Sequence, residues 1–99
     1  MEYENKKLGV KFTIPDVLTV RQQLRFRSSI FLADDRDKYE RFWNGAVELI
    51  DNWECELIPN LKTLDLDKET NMQITQIVQF VGNTVAGHMT TIGAVPKND

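Results

Sequence analysis

Residues 8–14, LGVKFTI, alternate in polarity: Leu8, Val10, Phe12 and Ile14 point one way, and Gly9, Lys11 and Thr13 the other. That period of two is the pattern of a half-buried strand. Pro15 and Asp16 end it. An isolated strand leaves its N–H and C=O groups unpaired. Two partners are open: the segment around Tyr3, closing a hairpin through ENKK, or another chain.

The period then lengthens to that of helices. TVRQ, residues 19–22, is a capping box, in which the Thr19 hydroxyl takes the backbone N–H of Gln22 and the Gln22 side chain reaches back. It predicts a helix over 19–33 whose buried face is Val20, Leu24 and Phe31, with Ile30 beside them. DDRD at 34–37 offers carboxylates for the start of a second helix, 36–52. Tyr39, Phe42, Trp43, Ala46, Val47, Leu49, Ile50 and Trp53 form its stripe. Residues 54–69 read as a connector tied down by Leu57, Ile58, Leu61, Leu64 and Leu66. TNMQ at 70–73 is a second capping-box pattern, opening a third helix over 70–91 with the stripe Ile74, Ile77, Val78, Val81, Val85 and Met89. Gly82 and Ala86, four apart, predict a smooth side for close packing. Gly93 and Pro96 end this helix, and residues 92–99 form a tail. The expected architecture is mainly α, about three helices with a short N-terminal β-strand or hairpin, in a small single-domain α+β chain of 99 residues.

Charge changes this picture more than composition does. The net charge is -3, which argues against neutralising nucleic-acid phosphates. Its distribution is uneven. Residues 1–33 hold six Lys/Arg against three acids, residues 34–71 five against eleven, and residues 72–99 one against one. The stretch 72–96 has no Asp, Glu, Lys or Arg, but Gln73, Gln76, Gln79, Asn83, Thr84, Thr90 and Thr91 interrupt its apolar residues. A spanning helix needs about 20 predominantly apolar positions, so no membrane span is expected. MEYENKKLGV lacks the apolar core of a secretory signal, and the lone Cys55 forms no internal disulfide. Both favour a reduced cytoplasm.

Candidate chemistry is sparse. His88 is the only histidine, and a general base needs an orienting partner and a proton within reach; a structural or solvated role is expected. Cys55 reads as a small hydrophobe. DLDKETN at 65–71 resembles the start of a calcium loop. Position six of that loop would be Thr70 instead of Gly, and position twelve Gln76 instead of Glu. A solvated turn is expected there. Glu48, Asp51, Glu54 and Glu56 read as a solvated acidic rim beside Trp53. Nucleotide-binding and hydrolase motifs are absent. No catalytic residue, cofactor or metal is expected. The third helix offers Gln76, Gln79, Asn83 and Thr84 as a face that meets another protein without desolvating charge.

The stretches FTIPDVLTVRQQLRF, YERFWNGAVELIDNWECELIP and TQIVQFVGNTVAGHM, with the terminal VPKND, resemble small proteins encoded among the tail genes of long-tailed bacteriophages, several of which are tail assembly chaperones. The likeness is one of layout and carries no catalytic signature. It implies a mostly helical, self-associating, non-enzymatic protein that coats the tape measure protein in the host cytoplasm during tail assembly. The alternatives are a structural virion component of the neck or tail, and a small phage protein that binds and inhibits a host protein.

Overall fold

The computed structural model describes residues 1–31 and 38–92, and their side chains except at 27–31 and 38–41. The chain opens with a hairpin. Strands β1 (Glu2–Asn5) and β2 (Val10–Thr13) pair antiparallel, with Tyr3 opposite Phe12. Of the two partners open to β2, the structure therefore supplies the Tyr3 segment. Gly9, at φ 67°, closes the turn in the left-handed region that glycine occupies without a Cβ penalty. Helices α1 (Val20–Phe31) and α2 (Lys38–Glu48) follow. Strand β3 (Asp51–Cys55) then returns to the free side of β2, also antiparallel. A 3₁₀ turn at Leu61–Thr63 leads to the 20-residue helix α3 (Met72–Thr91).

The fold is thus α+β: three helices and a three-stranded sheet in the order β1-β2-β3. This corrects the mainly helical reading with β structure confined to the N-terminus. Residues 51–55 are a strand, where the sequence pattern predicts a second helix to 52, with Trp53 on its stripe, and a connector from 54. Trp53 lies three positions after Ile50, which suits a helix, but Trp53 and Cys55 also alternate with Asn52 and Glu54, which suits a strand. So short a window cannot separate the two periods. Three physical features favour the strand. Glu48 and Asp51 would place carboxylates at the negative end of the helix dipole. Asn52 adopts φ 54°, which breaks helical continuity and which Asn tolerates better than most residues. The register also slips between Lys11 and Thr13, a bulge that accommodates Asn52.

One face of the sheet is covered. Val10, Phe12 and Ile14 are fully buried, Tyr3, Leu8, Trp53 and Cys55 pack against the core partly exposed, and Lys11, Glu2 and Glu54 face outward. Phe12, on the central strand, has the rings of Tyr3, Trp53 and Phe80 at centroid distances of 5.9, 5.8 and 6.1 Å. The stripes of α2 and α3 join it in a single core that includes Trp43, Ala46, Val47, Leu49 and Ile50 with Ile74, Ile77, Val78, Val81, Val85 and Met89. Trp53 contributes from the sheet, and its Nε1 donates to the Ile58 carbonyl at 2.6 Å, drawing the connector inward. Ile58 and Leu61 are buried there, whereas Leu57 is exposed.

The face of α1 is a second correction. Val20 and Leu24, expected inside, are 72% and 60% exposed. The helix instead buries Phe26, whose ring meets Phe42 of α2 edge-on at 5.9 Å, and Leu18 is buried just ahead of it. The sequence holds apolar residues on more than one side of this helix, and packing against Phe42 selects the side with Phe26. The Thr19–Gln22 capping box forms in both directions, at 3.2 and 3.0 Å. At α3 the cap is Asn71, whose side chain accepts from the Gln73 N–H at 2.8 Å, so Thr70 does not start the helix. Gly82 is buried but Ala86 is exposed, and the pair does not form one packing side. The cap at DDRD and the stops at Gly93 and Pro96 lie outside the described residues, as does most of the tail over 92–99.

Candidate functional site

Helix α3 is amphipathic without being charged. Its buried residues are Ile74, Ile77, Val78, Val81, Gly82, Val85, His88 and Met89. Spacings of three and four then bring Gln76, Gln79 and Asn83 together on the exposed side. Thr84, grouped with them by sequence, is half-buried at the margin of that face. The N-terminal part of the face borders a groove of about 310 Å³ lined by Leu66, Glu69, Ile74, Thr75, Val78 and Gln79. A mainly apolar slot beside uncharged amides, with Glu69 the one charged residue in its described lining, can take a side chain of another protein and hydrogen-bond its backbone while desolvating little charge.

The far end of α3 is anchored. His88 is 4% exposed. Its Nε2 lies 2.8 Å from the Pro15 carbonyl, and its Nδ1 2.6 Å from the Tyr3 hydroxyl. A carbonyl only accepts, so Nε2 carries the proton; in the neutral ring Nδ1 then accepts from Tyr3. Burial, and secondarily the negative charge of Asp16, raise the Tyr3 hydroxyl above its ordinary pKa, which keeps it a donor. Both ring nitrogens are occupied by structural bonds, so this arrangement ties α3 to the hairpin and leaves no free nitrogen to act as a base. A sequence pattern could not have paired residues 85 positions apart.

A second recess lies where α1, the end of α2 and the 3₁₀ turn meet. Arg21, Gln22, Arg25, Phe26, Gly45, Glu48, Leu49 and Lys62 line about 360 Å³. Arg25 and Glu48 approach to 3.7 Å, both well exposed, so their pairing contributes little to stability. Sequence reasoning missed this cluster because it turned α1 the other way; the signal available was the i, i+4 pair Arg21/Arg25 beside the i, i+4 pair Val20/Leu24.

The acidic residues do not converge on one site. Glu48 ends α2, while Asp51 and Glu54 stand on β3 with Glu56 just beyond it. In the DLDKETN turn the Asp65 carboxylate accepts from the Asp67 N–H at 3.0 Å, and its backbone carbonyl accepts from Lys68 and Glu69, so this stretch is a self-satisfied turn. Among the described residues there is no group of three His, Cys, Asp or Glu placed to hold a metal, and no helix long and apolar enough to cross a membrane. Every buried side-chain nitrogen and oxygen among them has a hydrogen-bond partner. Comparison with protein-family models, characterised proteins and solved structures returns no match to this chain.

Proposed function

We propose that this chain is a non-enzymatic protein-binding module, and specifically a phage tail assembly chaperone that holds the tape measure protein through α3. The observation that carries the binding reading is the exposed, uncharged row Gln76–Gln79–Asn83 beside the groove at Leu66, Ile74 and Val78. The hydrogen-bonded state of His88 agrees with a role other than acid–base chemistry. The finer assignment to tail assembly rests on the sequence resemblance alone. A coat on a long helical partner would use many weak copies, so avidity, not one deep pocket, would supply the strength.

The test is co-expression with a phage tape measure protein, followed by co-purification. Gln79→Lys with Asn83→Lys should reduce the recovered complex while leaving the melting temperature within a few degrees, since exposed substitutions usually cost within about 0.5 kcal/mol. Undiminished recovery at normal stability would move the contact off α3. Recovery of the chain from purified virions, with no complex before assembly, would favour the structural virion reading.

A further inference from the structure

Among the described side chains of α1, two large apolar ones, Val20 and Leu24, are exposed where a packed helix is usually polar. Val20, 72% exposed, and Leu24, 60% exposed, lie four apart on one side of the helix, and Val17, 86% exposed, precedes it in the chain. The adjacent row is Arg21 and Arg25. Those two arginines, with Lys62 from the 3₁₀ turn, also line the recess whose other walls include the buried Phe26 and Leu49. Among the described residues lining that recess, three cations face one carboxylate, Glu48, which pairs with Arg25 at 3.7 Å, in a chain whose net charge is -3. The basic cluster is therefore local and opposite in sign to the molecule.

We infer that this face is a second docking surface, and that its occupant is an acidic amphipathic segment of a partner protein. Apolar side chains of that segment cover Val17, Val20 and Leu24, and a carboxylate enters the recess to meet Arg21, Arg25 and Lys62. Two features select a protein segment over an anionic lipid surface. The cations border a concavity that a side chain enters and a flat bilayer does not, and the overall negative charge opposes approach to an anionic membrane. The inference is independent of the α3 reading, because the two surfaces share no residue.

The probe is a short fluorescein-labelled helical peptide with Leu at i, i+4 spacing flanked by Glu, titrated against the intact protein. Its counterpart with Lys for Glu, and vesicles of equal parts phosphatidylcholine and phosphatidylglycerol, are the comparisons. The Glu peptide should bind saturably, and the Lys peptide and vesicles should not. Arg21→Glu with Arg25→Glu, and separately Val20→Ser with Leu24→Ser, should each weaken binding by roughly tenfold or more. Amide shifts in an NMR titration should cluster at residues 17–25 and 62, and thermal melts check that each variant is folded. The inference is overturned by absence of saturable Glu-peptide binding, by equal binding of both peptides, or by preferential binding of vesicles. It is also overturned if the serine pair leaves affinity unchanged in a folded protein. A dimer of this chain that the same substitutions dissociate would overturn it in favour of a second copy as the occupant.

Discussion

Phe12→Ala tests whether the sheet is the centre of this fold or an appendage to helices. Phe12 has no exposed surface and sits on the central strand among Tyr3, Trp53 and Phe80. Truncating a buried Phe costs about 3–5 kcal/mol in lost transfer free energy and cavity formation. Aromatic contacts add roughly 0.5–1.5 kcal/mol each beyond area, and three of them place the expectation in the upper part of that range, about 4–5 kcal/mol. A domain of this size has about 5–15 kcal/mol in total, so the variant should be near the edge of folding. At roughly 4–8 °C per kcal/mol, the melting temperature should fall by more than about 15 °C. The assay is urea denaturation followed by far-UV circular dichroism alongside tryptophan fluorescence, because Trp53 touches Phe12 and reports local change as well as unfolding. Trp43→Ala, at a residue 3% exposed, should lose a comparable about 3–5 kcal/mol. Val20→Ala should stay within roughly 0.5 kcal/mol. A loss below about 1 kcal/mol for Phe12→Ala, well under the usual cost of such a truncation, would show that the hairpin contributes little and refute the sheet-centred core.

Tyr3→Phe leaves His88 Nδ1 without its donor and should cost about 1–3 kcal/mol, read by the same denaturation. The native Tyr3 pKa is raised, so its contribution is complete below the unfolded value near 10 and is lost as pH rises through the native value. The wild type should therefore lose more stability than Tyr3→Phe above about pH 10. Trp53→Phe keeps a ring against Phe12 but removes the donor to Ile58, and about 1–3 kcal/mol should go with it; a neutral result would show that the connector is held by Ile58 and Leu61 alone. Thr19→Ala breaks the capping box and should cost about 0.5–2 kcal/mol, measurable as a lower urea midpoint at constant slope.

Much of the local structure is legible in the sequence, because local signals depend only on neighbours along the chain. The alternation at 8–14 marks β2, Thr19 and Gln22 cap α1, and the stripe from Ile74 to Met89 marks the buried side of α3. That stripe also fixes by elimination that Gln76, Gln79 and Asn83 face outward. What only the tertiary structure decided is which of two locally permitted states each ambiguous segment takes. Residues 51–55 fit either period, and the free side of β2, with its unpaired N–H and C=O groups, makes them a strand. Helix α1 carries apolar residues on more than one side, and Phe42 of α2 selects Phe26, turning Val20, Leu24 and the two arginines to the surface. His88 looked inert in sequence; its role depends on Tyr3 and Pro15, which the fold brings from the opposite end of the chain. Burial and pairing between distant segments are global quantities, set by which surfaces are left to cover once the other elements have packed.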